Sequence, residues 1–100
     1  MVLLDVLGQR WTLRVLWELS QGRATFRVLR SKCDEVSPTL LNKRLKDLRD
    51  LAFVDLNAEG FGLTRHGISL TQKLATLDVW AEEWAHFLDQ GPPSGRNPFL

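Results

Sequence analysis

One cysteine, Cys33, stands in the 100 residues, so no internal disulfide framework can staple the fold. No apolar run approaches the roughly 18 residues that a bilayer-crossing helix needs, because charges interrupt every stretch. The apolar start, Met1 to Leu7, has neither a basic leader nor a cleavage site, which argues against a secretory signal. His66 and His86 lack cysteine or carboxylate partners at ligand spacing, so neither a metal nor a cofactor is expected. A glycine-rich phosphate loop, a nucleophile elbow and a paired-carboxylate pattern are also missing, and an enzyme is not expected. These absences leave a reduced, soluble, cytoplasmic domain with one modest core.

The charge that is present is unevenly placed. Net charge is only +1. Residues 1–22 sum to zero, residues 23–49 to +5 and residues 50–100 to −4. A basic middle beside an acidic C-terminal half suggests a polyanion-facing segment on a scaffold that faces elsewhere.

Hydrophobic spacing divides the chain further. Leu3 to Leu7 reads as a short helix ended by Gly8. From Arg10 to Leu19, Trp11, Val15, Leu16 and Leu19 recur at helical spacing, with Leu13 and Trp17 widening the stripe, until Gln21-Gly22 stops it. Ala24-Thr25-Phe26 suggests a minimal strand, and Arg27–Lys32 a short helix anchored by Val28 and Leu29. Ser37-Pro38 is a sharper signal. Serine accepts a bond from an unpaired N–H of the first turn, and proline suits the first helical position, where its missing N–H costs nothing. Leu41, Leu45, Leu48 and Ala52 then form a narrow buried stripe, with Thr39, Lys43, Lys46 and Asp50 opposite and Asn42 and Arg49 flanking. Phe53–Asn57 and Phe61–Leu63 around Ala58-Glu59-Gly60 fit a hairpin. Thr64 caps a last helix to about Leu88, whose apolar residues (Leu70, Leu74, Leu77, Ala81, Trp84 and Leu88, flanked by Val79, Trp80 and Phe87) exceed what one core needs. The expected domain is 1–90, with Gly91-Pro92-Pro93-Ser94-Gly95 opening a flexible tail, 91–100.

This order is that of a winged helix-turn-helix: mainly α, with a small β-hairpin. Asp5–Leu19 (DVLGQRWTLRVLWEL) resembles the start of HxlR-type regulators, where a glycine, a basic residue and a tryptophan precede an aliphatic helix. Phe26–Arg30 (FRVLR) looks like their positioning helix, and Val36–Val54 like their recognition helix running into the wing. Phe61–Leu70 is similar to their aromatic-x-Leu-Thr-x-x-Gly lead-in to a C-terminal dimerisation helix. The resemblance implies a homodimeric transcriptional regulator, nucleoid-associated, bound to a pseudo-palindromic operator in double-stranded DNA. Two features depart from the family. The wing tip, Asn57-Ala58-Glu59-Gly60, is short and holds no Lys or Arg, so the helix rather than the wing is expected to carry the DNA contact. Redox-sensing members carry a cysteine just before the first helix, whereas the chain as written begins too late for one and Cys33 lies elsewhere, so sensing is not carried over.

Thr39, Asn42 and Lys43 sit where a recognition helix meets base edges; asparagine can pair with adenine at two points and lysine can donate to guanine. Lys46, Arg44 and Arg49 suit phosphates, although Arg44 lies beside the leucine stripe and equally fits an internal pair with Asp47 or Glu35. Ser37 can cap and also bond a phosphate. Arg23, Arg27 and Arg30 either hold the flanking DNA backbone or are simply exposed. Leu77, Trp80, Trp84, Phe87 and Leu88, with Leu3, Leu4 and Leu7, form the expected dimer face; the alternative is that they close the monomer core. Two other functions fit the same chain: a winged-helix protein-interaction module without DNA binding, and a sensor whose tryptophans line a ligand pocket or whose Cys33 responds to oxidants. No effector is identified.

Overall fold

A computed structural model describes residues 2–90, so the expected tail lies outside the described residues. The elements are α1 (Val2–Leu7), α2 (Thr12–Ser20), α3 (Phe26–Lys32), α4 (Pro38–Asp50), β1 (Val54–Asn57), β2 (Gly60–Leu63) and α5 (Arg65–Gln90). One core joins them: Val15, Leu16 and Leu19 of α2, Leu29 of α3, Leu41, Leu45 and Leu48 of α4, and Val54 and Phe61 of the hairpin. Fully burying each such side chain is worth about 1.5–3 kcal/mol, so the α4 leucines alone account for most of that helix's attachment.

Several local expectations shift. Leu13 and Trp17 do not join the core stripe; they are 50% and 60% exposed. Trp11 precedes α2 in a left-handed conformation, φ 76°, so α2 begins at Thr12. The minimal strand shrinks to Ala24, which exchanges backbone bonds of 2.9 and 2.8 Å with Phe61. Thr25 instead caps α3, its hydroxyl accepting from the Val28 N–H. In α3, Leu29 is fully buried and Phe26 packs against the core, but Val28 is 45% exposed, so Leu29 and Phe26 rather than Val28 anchor this short helix. Ala52 leaves the α4 stripe altogether. Its φ is 64°, and the bonds Ala52 N–H to Arg49 O and Phe53 N–H to Leu48 O close the helix with a Schellman turn.

The hairpin pairs Val54 with Leu63 and Asn57 with Gly60, leaving Ala58-Glu59 as the tip. Asn57 Oδ1 accepts from the Glu59 N–H at 2.8 Å, which shapes the turn. Gly60, at φ 115°, lies so close to Ala24 that a Cβ would strike its carbonyl. Thr64 then joins β2 to α5 without a linker: its hydroxyl donates to Ala52 O and accepts from the Gly67 N–H. Gly67 is buried, and a Cβ there would run into the Phe53 carbonyl. The Leu-Thr-x-x-Gly pattern thus has a physical meaning: a cap followed by a close backbone approach. Leu70 and Leu74 pack on the core, but Leu77, Trp80, Trp84, Phe87 and Leu88 are 41–58% exposed. α5 projects from the body, and the molecule measures 57 × 26 × 23 Å.

Candidate nucleic-acid interface

The outer face of α4 is built by its two ends and its inner stripe. Ser37 caps it, its hydroxyl accepting from the Leu40 N–H at 3.4 Å, and Pro38 opens it. The turn from α3 runs through Asp34 and Glu35, both left-handed at φ 57° and 56°. Non-glycine residues pay about 1–2 kcal/mol each for that conformation, so the turn needs support. Arg30 supplies it. Its Nε donates to Val36 O at 2.7 Å, its Nη2 to Glu35 O at 3.3 Å, and its Nη1 pairs with the Glu35 carboxylate at 3.2 Å.

Arg44 does comparable work on the inner side of α4. Only 9% exposed, it donates from Nε to Arg10 O at 2.7 Å and from Nη1 to Gln9 Oε1, also at 2.7 Å. Asp47 lies 3.8 Å from the same Nη1, so of the two internal partners expected, Asp47 is the nearer; Glu35 is held by Arg30. Arg23 reaches the wing instead: Nη1 donates to Gly60 O at 2.8 Å and pairs with Asp55 at 2.7 Å. Its guanidinium lies over Gly62, where a Cβ would collide with it. Three of the ten expected DNA-contacting residues, Arg23, Arg30 and Arg44, therefore have guanidinium groups bonded to backbone carbonyls of the chain. Arg14, which the sequence reading passed over, belongs with them: it bridges Glu18 at 3.1 Å, Lys32 O at 2.7 Å and Asp34 at 3.7 Å, tying α2 to the end of α3. Its only sequence signal was the i,i+4 spacing to Glu18.

Thr39, Asn42, Lys43, Lys46 and Arg49 share the solvent-exposed face of α4. Lys46 bonds Asp50 at 2.8 Å, and that hydrogen bond raises the ammonium pKa. An exposed pair of this kind is worth at most about 1 kcal/mol, so a phosphate can displace the carboxylate. Arg27 is exposed on α3, beside a crease of about 440 Å³ that Phe26, Ser31, Glu35 and Pro38 also line. Among the described residues the wing tip carries Glu59 and no cation.

Two other features sit apart from this face. Cys33 is fully exposed to no solvent at all, at 0%, and burial pushes its thiol above the ordinary value, with Arg14 opposing. A neutral, enclosed thiol is a poor nucleophile. On the far side, α2 and α5 enclose a mostly apolar groove of about 660 Å³, lined by Leu13, Leu16, Trp17, Leu74, Leu77 and Ala81 among others.

This geometry agrees with comparisons to known proteins. The family model for the HxlR-like helix-turn-helix matches residues 6–89. The chain belongs to the HxlR-like helix-turn-helix family. YvaP, an HTH-type transcriptional regulator of Bacillus subtilis, is 29% identical over 94 residues, covering 85% of this chain and 87% of that one. A possible HxlR family transcriptional factor from Thermoplasma volcanium is 28% identical, with a TM-score of 0.71, over 88% of this chain and 82% of that one. Quinone-bound YodB from B. subtilis is 25% identical, with a TM-score of 0.75, over 80% and 91%. A regulator of the MarR family from Enterococcus faecalis shares the fold at a TM-score of 0.79 and 23% identity, over 87% and 86%. As an HxlR-like helix-turn-helix protein, the chain is a DNA-binding transcriptional regulator. Among the described residues no helix is long and apolar enough to cross a membrane.

Proposed function

We propose that the chain works in the cytoplasm as a homodimer that reads a pseudo-palindromic operator, one α4 helix per major groove. The observation that carries this reading is the outer face of α4, where Thr39, Asn42, Lys43, Lys46 and Arg49 stand exposed on a helix whose inner face is fixed by leucines and Arg44. Thr39, Asn42 and Lys43 meet bases; Lys46, Arg49, Arg27 and the Ser37 hydroxyl hold phosphates. Arg23, Arg30 and Arg44 act at one remove, by holding the wing and the recognition helix in place.

The exposed apolar residues of α5, Leu77, Trp80, Trp84, Phe87 and Leu88, support a dimer face, to which we also assign exposed Leu4 and half-buried Leu3 of α1. Trp80 and Trp84 stack nearly parallel, with interplanar angle 7° and centroids 6.1 Å apart, so the two rings form one adjoining aromatic pair. Leu7 packs on the chain's own core and contributes there first. Paired recognition helices then address half-sites about 34–36 Å apart, or multiples of that. If the dimer neutralises about six phosphates, affinity falls by a few orders of magnitude between 50 and 200 mM salt.

Selection of bound sequences from a random DNA pool, at stated salt, tests the reading. A two-fold-related consensus supports it; enrichment of no sequence sinks it and favours a protein-interaction module. The groove between α2 and α5 supports a second, ligand-responsive reading. Trp17 lines it, so a fluorescence titration against apolar metabolites checks that reading directly.

A further inference from the structure

The leucine stripe of α4 fixes how deep the helix sits, but apolar contacts are non-directional and leave its roll about its own axis weakly defined. Roll decides which of Thr39, Asn42, Lys43 and Lys46 points at the bases. Directional bonds are needed to set it, and the side chain of Arg44 makes two of them at mid-helix. Both end in the α1–α2 turn: on Arg10 O and on Gln9 Oε1, each at 2.7 Å. That turn is itself held in an unusual shape, with Trp11 at φ 76° and the Arg10 guanidinium 5.9 Å above the Trp11 ring. It also carries α1, whose Val2 and Leu4 are 64% and 63% exposed.

We infer that Gln9 is a positioning residue for DNA reading: through Arg44 it sets the roll of α4 and couples it to the placement of α1. The guanidinium is the right group for this role, because its planar fork fixes direction as well as distance. Arg10 O is a backbone acceptor that no side-chain replacement removes. Gln9 Oε1 is the adjustable half of the pair, and it lies 35 positions from Arg44 in sequence, where no local pattern reveals it. Loss of that acceptor leaves Nη1 to Asp47, 3.8 Å away on α4 itself, which constrains nothing between the two elements.

The inference rests on the proposed reading of DNA through α4, and its test separates the two. Binding is measured for the unaltered protein, Gln9→Leu, Gln9→Ser and Gln9→Glu, on the selected operator and on a scrambled duplex at the same salt. Thermal melting checks folding, and light scattering checks the oligomeric state. Gln9→Leu and Gln9→Ser are expected to lose about tenfold or more on the operator while scrambled-duplex affinity stays within about twofold, since phosphate contacts do not depend on roll. Gln9→Glu keeps an acceptor for Arg44 and restores operator affinity. Equal affinity of all variants for the operator overturns the inference while leaving the function standing. So does an equal loss on both duplexes, which marks a merely structural residue. Should the unaltered protein prefer no operator, the inference falls together with the proposed function. If Gln9→Leu does not fold, the contrast between Gln9→Ser and Gln9→Glu decides.

Discussion

The body of the molecule, from Thr12 to Leu63, and the outer half of α5 use similar residues to opposite ends. In the body, Leu16, Leu29, Leu41 and Leu48 are wholly enclosed, and arginines at 14, 23, 30 and 44 lock turns and helix ends onto named acceptors. Beyond Leu74, leucines and tryptophans are about half exposed, and the side-chain bonds there, Thr76 to Gln72 O and Gln90 to His86, stay within the helix. Apolar periodicity alone therefore does not say whether a helix is finished. The body encloses most of its apolar stripe, whereas the outer α5 leaves its own about half exposed.

The contrast can be broken from either side. The largest effect is expected from Leu45→Ala, which opens a cavity under the recognition helix and costs about 3 kcal/mol in urea unfolding. A loss under 1 kcal/mol would mean that α4 is not held by its stripe. Lys43→Ala with Lys46→Ala leaves that stability intact but weakens operator binding by about 2–3 kcal/mol, and it lowers the salt slope by about 2 or more. Trp84→Ala probes the other region: self-association in sedimentation weakens by about 2 kcal/mol, roughly thirtyfold, while the fold persists. Arg23→Ala releases the wing from Asp55 and Gly60 and costs about 1 kcal/mol, visible as faster hydrogen exchange at the Phe61 amide. The smallest effect runs in the stabilising direction. Ala52→Gly relieves the left-handed strain at the end of α4 and adds about 0.5 kcal/mol in thermal melting.

What was legible in the sequence follows the same division. Ser37-Pro38 and the spacing of Leu41, Leu45 and Leu48 announced α4 because capping and periodicity are local. The Thr64–Gly67 lead-in to α5 was equally readable. Trp17 and Val28 show where locality fails. Both fit a helical stripe, yet the body is too small to cover them, and they remain exposed. The arginines were legible as charge but not as structure. Arg23 meets Gly60 across 37 positions and Arg44 meets Gln9 across 35, and no window of sequence contains both ends of such a bond. Charge alone therefore does not separate the arginines that hold backbone carbonyls from the cations that stand exposed.

The absence of any linker between the wing and α5 has a mechanical consequence. Thr64 and Gly67 weld the helix to the Ala52–Phe53 corner that ends α4. From Gly67 to Gln90 the arm is roughly 35 Å long, so a tilt of about 5° at the weld moves its far end by about 3 Å. Run in reverse, an arm clamped at its far end converts small displacements there into a rotation of the whole winged body. In the proposed dimer the helix is thus a torque arm as well as a surface, and its stiffness bounds how far the two reading heads swing apart.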